Sequence, residues 1–344
     1  MDILTALSND SNYSNTTLQG IITAWVVSGA FERRKKISAS NGDVSEDDYT
    51  KQSIYSLLYA VYRSVGTVKA ETGKPYEFTF NTWGYTWPKE WDANTTRPDD
   101  DPQRFGKNAY TGLFQAPIVK EAIAKADGKV HVVEMGCGTG AGAHHICSQV
   151  LPKCTYEAVD MQQAAISTAN RKFVPELNGR MKATCCDATK LPNSAESADF
   201  VVVCETHVTE YDGLVSDEDK AFFGTALHLL KPGGFLVWGN AIPDSTWQPC
   251  FDYLESVGMK KMFERDVTEE AVEARIQDAA RVDAYVDQVL KRFHGFKIPK
   301  LGSGKRREAE LAIKNFYRHP GTRLYEKMTD DTDSYKVVAF QKTV

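Results

Sequence analysis

A chain of 344 residues exceeds the usual size of one domain, and either one elaborated domain or two small ones fits that length. With 42% hydrophobic and 25% charged residues it has the composition of a globular protein, and a formal charge of −5 removes the electrostatic case for a nucleic-acid binder. Seven cysteines, an odd number without C-x-x-C spacing, argue against a disulfide frame or a zinc site and for a reducing, cytoplasmic setting.

In chain order, the start carries no positively charged leader with a cleavage site. The apolar stretch at 20–31, "GIITAWVVSGAF", is too short to span a bilayer. It reads as a buried helix, with contact to a membrane surface as the alternative, so no integral membrane segment is expected. "KQSIYSLLYAVYRSV" (51–65) sets Ile54, Leu57, Leu58, Val61 and Val65 on one helical face. An aromatic stretch, "YEFTFNTWGYTWPKEW" (76–91), and a polar linker, "DANTTRPDDDPQRFGKN" (92–108), complete an N-terminal extension over 1–125. Basic runs at 31–36 and 304–308 read as solvated helix faces rather than polyanion sites.

The rhythm changes at residue 129. Short apolar runs at 130–135, 155–160, 180–187, 198–205 and 234–241 read as strands, and helices fit 141–151, 162–173 and 217–230. "LKPGG" (230–234) stops the last of these helices. Beyond 243 follow a helix at 246–256, a strand at 259–267, long helices at 268–293 and 305–317, and a last strand at 334–342. The expected fold is α/β, a doubly wound, Rossmann-like, mostly parallel sheet with an N-terminal helical extension and a helical insertion before the last strand. The expected organisation is an extension over 1–125 covering the active site, a core over 126–245, and a lid plus final strand over 246–344.

The chemistry starts at "VVEMGCGTGAGAHHI" (132–146). Gly136, Gly138 and Gly140 open the turn between a strand and a helix, where bare backbone can approach a ligand closely. The spacing is G-x-G-x-G rather than the dinucleotide fingerprint G-x-G-x-x-G, so the loop alone does not choose a cofactor. Three acids do. Glu134 precedes the first glycine, where it would repel a pyrophosphate but favour a cationic amino acid. Asp160 ends the second strand, placed for both ribose hydroxyls. Asp187 ends the third, placed to accept from an adenine amine, with an N-cap as its alternative role. An acid after each of three successive strands fits S-adenosyl-L-methionine better than NAD.

On these residues the chain resembles the class I S-adenosylmethionine-dependent methyltransferases. The matching motifs are "VVEMGCGTG" (132–140), "YEAVDMQ" (156–162), "CCDATKLPNSAESADFVV" (185–202) and "LLKPGGFLVWG" (229–239). The resemblance implies that Glu134, Gly136 and Gly138 meet the amino-acid end, Asp160 the ribose, and Asp187 and Ala188 the adenine, with Cys137, Gly140 and Met161 as further cofactor contacts. "FNTWGY" (80–85), "GAGAHHI" and "SYKVVAFQK" look further like the phthiotriol and phenolphthiotriol methyltransferases, which methylate a hydroxyl on a lipid or polyketide-derived product. The aromatic stretch is also similar to that of sterol C-methyltransferases.

Methyl transfer is an in-line displacement, and an alcohol acceptor needs a base. "CETHVTEY" (204–211) follows the fourth strand, and His207 is the base candidate because its ordinary pKa lies near neutrality. The phthiotriol-like group reads Glu-x-x-His where this chain has Glu205-Thr206-His207, so a structural His207 stands as the alternative. Glu205 is expected to line the methionine pocket or orient His207, and Asp244 to assist the base. His144 and His145 are helix neighbours whose side chains diverge by about 100°, which argues against a shared metal ion. Trp83, Tyr85 and Trp87 form either a lid on the sulfonium, with Tyr85 as the contact, or plain core. The expected partner is a hydrophobic small-molecule acceptor, and homo-oligomerisation is open. Two rival functions remain: C-methylation of an isoprenoid or sterol-like alkene, with Glu205 or Glu210 removing a proton, and a non-catalytic S-adenosylmethionine-binding protein.

Overall fold

The computed structural model describes residues 67–69, 75–92, 100–191, 195–206, 215–294 and 303–343. The helices expected at 20–31 and 51–65, and residues 93–99 of the polar linker, lie outside them. Contacts divide the chain into two units. The larger comprises Phe80–Met161, Ala165–Arg275 and Glu326–Val344, and the smaller Met1–Thr79, Gln162–Ala164 and Ile276–Tyr325.

The larger unit is built on a seven-stranded sheet. Its strands are β3 (His131–Met135), β4 (Thr155–Asp160), β5 (Met181–Cys185), β6 (Ala198–Cys204), β7 (Leu230–Pro243), β8 (Met259–Asp266) and β9 (Asp333–Lys342). They lie in the order β5-β4-β3-β6-β7-β9-β8. The first five pair in parallel, and β9 runs antiparallel between β7 and β8. The chain leaves β3 outward to β5 and returns to β6, so the topological switch lies between β3 and β6. In such sheets a ligand sits in the crevice beyond the carboxyl ends of the strands at that switch.

Strands covered on both faces read as near-continuous apolar runs, as the buried β3 and β6 do. Val132, Tyr156, Ala158, Phe200 and Val202 face one core layer, and Val133, Met135, Val201, Val203 and Trp238 the other. Connecting helices are α3 (Ala141–His145), which continues as a π-helical turn over Ile146–Val150, then α4 (Gln163–Lys172), α5 (Asp217–Leu229) and α6 (Asp244–Ser256). Helix α5 starts on a capping box in which Ser216 and Asp219 satisfy each other's backbone N–H. "KPGG" both ends α5 and lies within β7. The β6–β7 register shifts between Ala198 and Phe200, a bulge that takes up those residues.

Two elements differ from the sequence reading. "RFGKNAYTG" forms a helix, α1 (Arg104–Gly112), followed by α2 (Pro117–Lys125). Its glycines disfavour a helix, yet a Cβ at Gly112 would meet the Tyr85 hydroxyl, so packing outweighs propensity there. A short antiparallel hairpin of β1 (Thr67–Lys69) and β2 (Pro75–Glu77) belongs to the smaller unit. The other regular elements described in that unit are helices. The long α7 (Thr268–His294) enters it, followed by α8 (Ser303–Phe316) and the start of α9 (Arg323–Thr329). Within it Phe78 stacks on Tyr285, and Tyr317 lies edge-on to both rings. Among the described residues no helix is long and apolar enough to cross a membrane.

Candidate functional site

The glycine turn is pinned to the end of β4. Gly136 and Cys137 N–H both donate to the Val159 carbonyl at 2.8 and 2.9 Å, and Gly138 N–H donates to Asp160 Oδ2 at 2.8 Å. Gly136 has φ +87°, and a Cβ there would lie 2.1 Å from Thr206 Cγ2. Thr206 Oγ1 in turn donates to the Gly136 carbonyl at 3.0 Å. Asp160 therefore stands at the strand end expected of it and also shapes the loop. Beside it, Met161 is 45% exposed, a large apolar side chain left in the open next to the turn.

Asp187 follows β5 by two residues and caps a short 3-10 turn over Ala188–Lys190, accepting from Thr189 N–H at 2.9 Å and from its hydroxyl at 2.8 Å. Burial raises its carboxyl, but Thr189 and Lys190 outweigh that and hold it below the usual range. Ala188 packs partly buried against the second core layer.

Glu134 occupies an unexpected position. The two-residue period of β3 turns it into the core layer beneath the loop, with no exposed surface. Tyr110 of α1 and Tyr156 of β4 donate their hydroxyls to its two oxygens at 2.9 and 3.0 Å. Burial raises its carboxyl to about 7, against the lowering by the two hydroxyls. Cys137 and Cys204 nearby are buried thiols that burial likewise pushes up.

Glu205, the first residue past β6, adopts φ +48° and is partly buried. Its Oε2 accepts from Trp83 N–H at 2.7 Å, and its Oε1 from Gly84 N–H at 2.9 Å and the Tyr335 hydroxyl at 2.8 Å. Burial raises its carboxyl, and these donors with Arg275 oppose that shift. Tyr85 is fully buried, its ring edge-on to Trp91 and Tyr335, while Trp83 and Trp87 keep partial exposure. Of the three aromatics, Tyr85 thus has no surface open to a ligand.

His207 lies outside the described residues, directly after Thr206. Asp244 opens α6 just past β7, exposed, with Ser334 donating to its carboxylate. His144 pairs with Glu176 at 2.9 Å, and buried His145 lies 2.9 Å from Thr111 Oγ1. Sequence reasoning missed Tyr110, Tyr156, Thr206, Arg275 and Tyr335. Thr206, beside Glu205, and Tyr156 and Tyr335, inside quoted motifs, carried a local signal, whereas Tyr110 and Arg275 carried none.

Residues 132–234 match the family model of a methyltransferase domain. No curated protein matches the chain. Among solved structures, the [4+2]-cyclase SpnF is similar over 85% of this chain and 96% of its own, at 18% identity and a TM-score of 0.56. StiE O-MT is 19% identical, covering 76% and 86%, at a TM-score of 0.48. Geranyl diphosphate methyltransferase in complex with SAM is 13% identical, covering 77% and 99%, at 0.44. At such identities the likeness to SpnF is one of fold.

The strand order, the glycine turn after β3 and the matched span define the Rossmann-like fold of the class I methyltransferases. The family match, to a methyltransferase domain, spans residues 132–234, less than half of the chain.

Proposed function

We propose that this protein transfers a methyl group from S-adenosylmethionine to a hydroxyl of a hydrophobic small molecule, a lipid, polyketide or other secondary metabolite. The observation that supports the cofactor half is that Asp160 ends β4, Asp187 follows β5 by two residues and the Gly136–Gly140 turn follows β3, three adjacent parallel strands, with Met161 exposed next to Asp160. Asp160 holds the ribose, Asp187 and Ala188 the adenine edge, and Met161 covers an adenine face. The backbone of Gly136, Cys137 and Gly138 meets the amino-acid end. Glu134 acts from beneath the turn through its charge, and Tyr85 supports the aromatic segment from below. The bound cofactor supplies an electrophilic methyl on sulfur, and the chain's task is to aim the acceptor oxygen and take its proton.

The acceptor half rests on resemblance to the phthiotriol-type enzymes and on the half-buried Trp83, whose N–H is held by Glu205 just past β6. His207 serves as the base with Asp244 as its partner. Glu205 already accepts three protein hydrogen bonds, which disfavours it as the proton acceptor of a C-methylation. Seven free thiols suit a cytoplasmic setting.

The test is a screen of lipid and polyketide alcohols with methyl-labelled S-adenosylmethionine, followed by His207→Ala on any accepted substrate. Turnover is expected to fall by roughly 10²- to 10⁴-fold, the usual worth of a positioned base. S-adenosylhomocysteine affinity should stay within a few-fold. Unchanged turnover would remove His207 from the role, and labelling on carbon would replace O-methylation.

A further inference from the structure

The dipeptide Glu205–Thr206 does two things at once at the topological switch. Its left-handed Glu205 turns the chain as it leaves β6, with the Glu205 N–H donating to the Gly239 carbonyl of β7 at 2.8 Å. A non-glycine residue in that conformation is uncommon and costs energy, so the surrounding contacts must hold it there. From this turn the Glu205 carboxylate takes the N–H groups of Trp83 and Gly84, while the neighbouring Thr206 hydroxyl holds the Gly136 carbonyl.

The far side of the same aromatic segment is equally fixed. Arg275, 2% exposed, donates to the Trp83 carbonyl, so one peptide unit lies between a buried guanidinium and a carboxylate. Thr86 N–H and hydroxyl both bind the Glu270 carbonyl at the start of α7. Gly84 sits at φ +65°, and a Cβ there would lie 1.9 Å from the Phe105 carbonyl oxygen, so this backbone is packed against α1 with no slack. The segment is thus a strap across the carboxyl end of β6, beside the crevice where the cofactor loop opens.

We infer that Glu205 is a positioning residue that couples this strap to the cofactor loop: Glu205 anchors Trp83–Gly84 and Thr206 anchors Gly136, so that filling the loop orders the strap and loosening the strap weakens the loop's hold on its ligand. The inference rests on the cofactor reading above, and it assigns Glu205 neither proton transfer nor direct contact with the methyl group. A carboxylate suits the task because it accepts from several N–H and O–H donors at once, which a side-chain amide cannot do without presenting a donor of its own.

The test is amide hydrogen exchange over residues 81–86 and 136–140, with and without S-adenosylhomocysteine, together with calorimetric affinity for that ligand. In the wild type, the ligand should slow exchange in both segments. In Glu205→Gln, exchange at Trp83 and Gly84 should rise at least tenfold, the ligand should no longer protect them, and affinity should fall roughly 5- to 30-fold. Where that variant fails to fold, Tyr335→Phe removes one donor and keeps the carboxylate, and a two- to fivefold loss of affinity with faster strap exchange is expected. Ligand protection of the loop but not the strap in the wild type, or a folded Glu205→Gln binding within twofold of wild type, overturns the coupling alone. A wild type that does not bind S-adenosylhomocysteine overturns the cofactor reading and the inference together.

Discussion

Gly136→Ala is expected to abolish measurable cofactor binding. The new Cβ would meet Thr206 at 2.1 Å from Cγ2 and 2.5 Å from Oγ1, at a backbone φ of +87°. The left-handed conformation costs an L-residue roughly 1–2 kcal/mol, and forcing in a methyl group where none fits adds about 1–3 kcal/mol. Relief requires breaking the Thr206–Gly136 hydrogen bond, so the strain falls on the loop itself. Calorimetry with S-adenosylhomocysteine should show affinity down by about 10²-fold or more, corresponding to roughly 3 kcal/mol. The double variant Gly136→Ala/Thr206→Gly removes the clash but not the backbone strain, so it should recover only part of the loss. Binding by the single variant within a few-fold of wild type would show that the loop does not hold the cofactor.

Glu134→Gln has the second large effect, and it separates the two charge states of the ligand. Burial raises the Glu134 carboxyl from 4.5 to about 7, so between those values the folded state carries a proton that the unfolded state has lost. Stability from this group is therefore greatest at low pH, falls as pH rises from about 4.5 to 7, and is level above that. The span corresponds to a cost of about 3 kcal/mol at pH 8, an order-of-magnitude figure for a fully buried acid. Its neighbours do not blur that window: Tyr110, Tyr156, Cys137 and Cys204 are all pushed up by burial, and Asp160 favours the proton on Glu134. The glutamine variant should accordingly melt several degrees above wild type at pH 8 and close to it at pH 5. A cationic sulfonium favours the ionised carboxylate, whereas S-adenosylhomocysteine lacks that charge. Wild type should gain preference for S-adenosylmethionine over S-adenosylhomocysteine by roughly tenfold between pH 6 and 8, as expected for opposite charges held close. The variant should show no such gain. A pH-independent preference in wild type would place Glu134 too far from the sulfur to matter.

The parallel core was legible because its strands are covered on both faces and bounded by turn residues. The β3–β7 run and the late helices emerged within a few residues of their observed ends, β7 excepted, since a bulge carries it back through "KPGG". Helix α1 was hidden by its own glycines, which serve packing rather than flexibility. The strand-end acids were visible as chemistry but not as geometry. A strand's period gives two faces, yet only the position of α1 shows that Glu134 turns towards Tyr110 and away from solvent. Glu205 shows the same limit more strongly. Its partners at Trp83, Gly84 and Tyr335 lie more than a hundred residues away, and no local pattern announces them.

The central claim is that the crevice beyond β3, β4 and β5 holds S-adenosylmethionine. Calorimetric titration of the wild-type chain with S-adenosylhomocysteine and, separately, with NADH tests it most directly. One equivalent of S-adenosylhomocysteine should bind with micromolar or tighter affinity, about −8 kcal/mol, and NADH should give no saturable heat. Saturable NADH binding with no heat from S-adenosylhomocysteine would contradict the account.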